Sequence, residues 1–171
     1  MATASLIISL LAIGLAAFSF WWLNWRPAKL YVATPPTYAG HGSEKLLLEF
    51  PFVFYNSGAR PVVVDNLRLQ LPTDGGEPLH FTATVEKLGT DEGRAFATPF
   101  FVGSRQAVKL ICEFQRNPGK LTFKVREYTV QLDGRLNGGL EWEKLHSFVL
   151  AVTPRSLETL GTRLIAHENG A

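Results

Sequence analysis

From Ala4 to Leu23 the chain reads ASLIISLLAIGLAAFSFWWL, twenty residues without a charge, and this segment constrains the rest. As a helix it spans about 30 Å, the thickness of a bilayer's hydrocarbon core. Ten of its residues, among them Leu6, Ile7, Leu10, Ile13 and Phe18, each favour insertion by about 0.3–0.6 kcal/mol, and no charge opposes them. Trp21, Trp22 and Trp25 gather at its C-terminal end, with Arg26, Lys29 and Tyr31 just beyond. Aromatic rings followed by snorkelling cations mark the headgroup level of a membrane.

A cleaved secretory signal needs a basic leading region, a shorter apolar core and small residues before the cleavage site. The first two are missing, and cleavage after Ala17 would leave FSFWWLNW as an exposed terminus. Residues 1–27 are therefore expected to be a retained single-pass anchor with its interfacial belt. Basic residues flank the C-terminal side only, as Arg26, Lys29 and Lys45, so the remainder is expected to face the cytoplasm. Ser5, Ser9, Ala12, Ala16 and Ser19 fall on one stripe of the helix. Small residues let a second helix approach closely, so a homo-oligomer through this stripe stands beside the plainer reading of a generic anchor.

The remainder of the chain beyond the anchor is the size of one domain. The net charge is +2 and the seventeen basic residues are scattered, which predicts no nucleic-acid partner. Cys112 is the single cysteine, in phase with apolar Val108, Leu110 and Phe114. It reads as a buried core thiol, rules out a disulfide scaffold and favours a reducing compartment.

After Pro27 the pattern turns to alternation with frequent turn residues, the mark of an all-β domain. Strands are expected at 29–34, 45–55, 62–71, 79–87, 96–102 and 107–114, from 121 onward through Leu132, and at 142–153. The stretch through Gly40, Gly42 and Ser43 reads as a loop. Leu46, Leu48, Phe50, Phe52 and Phe54 share one face of a core strand. Pro51, on its other face, cannot donate to a ladder and predicts an edge, a bulge or a strand switch; Pro99 predicts an edge. The apolar phase slips between Leu121, Phe123, Val125 and Tyr128, Val130, Leu132, which predicts a β-bulge at Arg126 and Glu127. The sum is an antiparallel sandwich of about seven to eight strands over 28–154, with a closed barrel as the alternative. Over 155–171, Leu157, Leu160, Leu164 and Ile165 have helical spacing after Pro154, with Ser156 as the expected cap.

The segment LEFPFVFYNSGARPVVVDNLRLQL resembles the second and third strands of immunoglobulin-like modules in bacterial envelope and membrane proteins. There an apolar strand ends in an Asn-x-Gly-x-x-Pro turn, here Asn56, Gly58 and Pro61. The whole layout is similar to that of uncharacterised bacterial single-pass proteins with a short anchor, an aromatic and basic juxtamembrane stretch and a β-sandwich. The resemblance implies adhesion or scaffolding and no catalysis.

No H-E-x-x-H, G-x-S-x-G, C-x-x-C, Walker loop or dinucleotide fingerprint occurs. His41, His80, His146 and His167 are dispersed, and Asp74 with Glu77 makes too sparse a calcium set, so no catalytic residue, metal or cofactor is expected. Trp142 is the one tryptophan beyond the anchor and belt. The expectation is a non-enzymatic membrane-anchored interaction or scaffolding module with a protein partner, for which the Pro51 and Pro99 strands supply the edges. A membrane-tethered carbohydrate-binding or hydrolytic sandwich and a structural subunit of a larger membrane complex are the alternatives.

Overall fold

A computed structural model describes residues 2–42, 45–72, 76–117, 123–160 and 164–169. The uncharged segment forms one helix, α1 (Ala2–Asn24). It is long and apolar enough to cross a bilayer, and none of its span is buried against the rest of the chain. Its large apolar side chains stand 54–67% exposed from Leu6 to Leu23, the two tryptophans aside.

Among the described residues eleven strands come after it: β1 (Leu30–Val32), β2 (Thr37–Gly42), β3 (Leu46–Asn56), β4 (Val62–Gln70), β5 (Leu79–Val85), β6 (Ala95–Phe96), β7 (Phe100–Val102), β8 (Ala107–Arg116), β9 (Arg126–Leu136), β10 (Glu143–Val152) and β11 (Ile165–Glu168), with α2 (Pro154–Leu160) before the last. All pairings among them are antiparallel. One layer of the sandwich is β10–β9–β4 with β7 on its edge. The other runs β6–β5–β8–β3, with β1 and β2 sharing the far side of β3 and β11 outside β2. The layers meet at one corner through Arg68↔His80 and Leu69↔Leu79.

Alternation builds the core as the sequence predicts. Leu46, Leu48, Phe50, Phe52 and Phe54 are all fully buried. From β3 they meet the opposite layer edge-on: Phe148 packs against Phe50 and Phe52 with ring centroids 5.3 and 5.9 Å away, and Phe100 against Phe54 at 5.1 Å. Each such ring contributes about 1.5–3 kcal/mol by leaving water. Cys112 is buried beside them, and burial pushes its thiol up from the ordinary value.

Pro51 does not mark an edge strand, because β3 has β8 on one side and β1 and β2 on the other. It marks the strand switch. The backbone groups of Val53 face β1, since Ala33 N–H donates to Val53 O, and those of Pro51 share that side by parity. There the β1–β3 ladder has ended at Val32↔Phe54 and the β2–β3 ladder, which starts at Ala39↔Glu49, has not begun, and the register on β3 steps by two residues across Pro35 and Pro36. The missing N–H thus falls where no ladder partner exists. Pro99 sits between β6 and β7, each of which has no strand on its outer side among the described residues.

Three expectations are corrected. Residues 37–42 are a strand, not a loop, with Tyr38 and Ala39 buried; a Cβ on Gly40 would lie 2.7 Å from Leu160 Cδ2, so the glycine that disguises the strand is what lets α2 lie on it. No bulge occurs at Arg126 and Glu127, whose pairing with Val152 and Ala151 is regular. Val125 lies in a bend before β9 and is 53% exposed. The irregularities lie between Val64 and Asn66, Phe81 and Ala83, and Lys144 and His146. The C-terminal helix stops at Leu160 and Ile165 begins a strand against β2. Its cap is Thr153, whose Oγ1 accepts from Ser156 N–H while Ser156 Oγ accepts from Thr153 N–H. Leu121 and Asp74 lie outside the described residues.

Candidate functional site at the helix-proximal end

Five residues separate α1 from β1, and the loops of the sandwich hold them. Trp25 N–H and Arg26 N–H both donate to Trp21 O, closing the helix. The last carbonyls of a helix have no partner within it. One of them, Trp22 O, is taken by Arg105 Nη2 from the β7–β8 loop at 3.0 Å, and a cation there also complements the helix dipole. Ala59 N–H donates to Arg26 O and Ser57 N–H to Lys29 O. The sandwich loops therefore grip the end of α1 directly.

At the centre of this joint is Asn56, fully buried. Its Oδ1 accepts from Gly58 N–H at 2.9 Å and Lys29 N–H at 3.4 Å. Its Nδ2 donates to Arg60 O, Val102 O and Gly103 O, and its backbone N–H to Gln106 O. One side chain thus ties the linker, the β3–β4 loop and the β7–β8 loop. Gly58 is required because a Cβ there would run into Pro27 O and Ala28. The Asn-x-Gly pattern is visible in the sequence as a turn; the partners of the Asn56 side chain, up to 47 residues away, are not.

The expected interface residues divide between helix and joint. Arg26 stacks on Trp22 at 4.3 Å and Lys29 lies over Tyr31 at 5.1 Å. Trp21 and Trp25 stand exposed. Ser5, Ser9, Ala12, Ala16 and Ser19 are all exposed on α1, with Ser9 Oγ donating to Ser5 O.

Of the large apolar side chains on edge strands, the most exposed among the described residues are Phe96 of β6 at 81% and Phe101 of β7 at 68%. The outer faces of the sandwich carry buried acids. On β9, Asp133 accepts from Arg68 Nε, Gln70 Nε2 and Gln131 Nε2 at 2.6–2.9 Å. Half-buried Trp142 covers this cluster, its ring taken by the Arg68 and Arg135 guanidinium groups. On the other layer Glu49 and Glu113 are register partners. Burial pushes the Glu113 carboxyl up, but donation from Arg94, Thr82 and Gln115 outweighs it and holds the group below the ordinary value. Among the described residues Glu49 has one donor, Gly89 N–H at 2.7 Å, and its Oε1 has none. Burial, reinforced by the charges of Glu113 and Asp91, pushes it up to about 7. In the sequence Glu49 and Glu113 look like wet-face positions of alternating strands, which hides them.

Of the histidines, His146 hydrogen-bonds Thr34 and His167 hydrogen-bonds Thr159, and burial lowers both. Among the described residues no group of His, Cys, Asp and Glu could hold a metal ion. Compared with known protein-family models and with curated proteins, the sequence matches none.

Proposed function

We propose that this chain is a single-pass membrane protein whose α1 anchors an immunoglobulin-like sandwich, and that the sandwich is a non-enzymatic interaction module offering its β6–β7 edge to a protein partner on the cytoplasmic side. The observation that carries this reading is Phe96 and Phe101, large, solvent-exposed and on short edge strands either side of Pro99. Exposed apolar side chains and an unpaired backbone edge together form a template for another chain.

Anchoring is supported by the exposure of α1, whose apolar surface suits lipid and not water. The immunoglobulin-like reading is supported by the pairing of β1, β3, β8 and β5 in one layer and β4, β9 and β10 in the other, the layout of constant-type domains. Tyr128 adds to it, since its hydroxyl accepts from Lys124 N–H and donates to Lys124 O near the start of β9, as a tyrosine corner does. Arg26, Lys29 and Lys45, the basic residues that follow α1 closely, support the cytoplasmic orientation. The Arg68 and Arg135 guanidinium groups 4.4 and 4.6 Å from the centroid of the half-buried Trp142 ring speak against its use as a sugar platform.

A photo-crosslinking amino acid at Phe96 or Phe101 in intact membranes is expected to give one discrete adduct from either position and none from exposed Thr129 on β9. Equal adduct patterns at all three positions would defeat the proposal.

A further inference from the structure

We propose that the helix-proximal end of the sandwich is itself a phospholipid-headgroup contact, so that the domain is seated on the bilayer and does not swing from it. The inference rests on the reading of α1 as a membrane anchor. Five extended residues reach at most about 18 Å. The joint makes the distance far shorter, because the β7–β8 loop bonds to Trp22 O and the β3–β4 loop to Arg26 O. Trp22 belongs to the aromatic belt, so a loop bonded to its carbonyl lies at headgroup depth.

The third loop of this end is the β9–β10 hairpin. Its base is fixed there: Leu136 pairs with Val64, Asn137 N–H donates to Val63 O, and Leu136 and Asn137 line a cleft together with Ala28, Lys29 and Leu30. The hairpin tip extends beyond that base, and Leu140 at the tip is 82% exposed. The positive φ values of Asn137 and Gly138 turn the chain to present it. Val63 of β4 is exposed at the same end, as are Tyr31 and Tyr55, stacked with centroids 6.5 Å apart. Rings and an aliphatic tip around an inserted helix suit an interface that is apolar below and wet above.

The charges agree. Arg26, Lys29, Arg60, Arg105 and Lys144 lie at this end, against Asp65, Glu141 and Glu143. Asp65 is already used as acceptor for Gly138 N–H. A basic excess faces phosphate oxygens favourably.

The test uses the full chain in phosphatidylcholine/phosphatidylglycerol nanodiscs containing lipids with a nitroxide either near the headgroup or at mid-chain, in separate preparations. Bimane is attached at Leu140→Cys, at Ile13→Cys within α1 or at Glu127→Cys on the opposite end; the native thiol is buried. Leu140→Cys is expected to be quenched by the headgroup nitroxide at least twofold more than Glu127→Cys, with Ile13→Cys quenched by the mid-chain nitroxide. Quenching at Ile13→Cys with Leu140→Cys no different from Glu127→Cys would overturn the seating and leave the anchor standing. No quenching at Ile13→Cys would overturn both.

Discussion

Asn56 and Glu49 are both fully buried polar side chains at the ends of long-range register, yet one is satisfied and the other is not. Asn56 fills its acceptor and donor capacity with five partners from three segments. Glu49 holds one N–H and leaves an oxygen bare, directly opposite a second carboxylate. A neutral amide with matched partners makes a rigid fastening at small electrostatic cost, whereas a carboxyl in the same degree of burial must shed its charge or destabilise its surroundings. The first device ties the sandwich loops to the end of α1; the second leaves an acid with a raised value on the outer face of β3.

The largest effect is expected where the satisfied group is removed. Asn56→Ala strips the partners of three loops and leaves buried donors and acceptors unmet, a loss of about 3 kcal/mol. Urea unfolding of the full chain in detergent micelles, followed by β-sheet circular dichroism, measures it. A loss below about 1 kcal/mol would mean the loops hold the linker without Asn56.

A smaller effect of the other kind belongs to Glu49. Because its folded value is raised, its contribution to stability is complete below the ordinary carboxyl range and is lost as pH rises toward and through about 7. Glu113 is lowered, so its contribution is present above the ordinary range and is lost as pH falls below it. His146 and His167, both lowered, favour folding as pH rises through the same window as Glu49, so the informative quantity is the difference between wild type and Glu49→Gln. That difference should favour the variant by about 1–2 kcal/mol at pH 8 and shrink toward pH 5. A flat difference profile in pH-dependent melting would show that Glu49 does not titrate in this window.

Legibility in the sequence tracks locality. α1 and the buried face of β3 are readable because twenty uncharged residues and a period of two are written in adjacent letters. β2 is hidden because Gly40 and Gly42 are poor strand formers, and the close approach of Leu160 that calls for Gly40 comes from 120 positions downstream. β11 reads as helix because Leu157, Leu160, Leu164 and Ile165 satisfy a helical stripe, while pairing with β2 decides the conformation of Ile165. The joint is half readable. Trp21, Trp22, Trp25, Arg26 and Lys29 announce the interface, and Asn56 and Gly58 announce a turn. That the turn grips the end of α1 depends on Lys29 and Val102 arriving from 27 and 46 residues away. The Glu49–Glu113 pair has no local signal at all, since only β3–β8 register makes neighbours of them.

The central claim is that α1 spans a membrane and holds the sandwich against its cytoplasmic face. A paired reporter fused after residue 171 in intact cells tests it most directly, one reporter active only inside and the other only outside. The account predicts membrane-bound signal from the cytoplasmic reporter alone. Signal from the external reporter would contradict the orientation, and signal recovered in the soluble fraction would contradict the anchor.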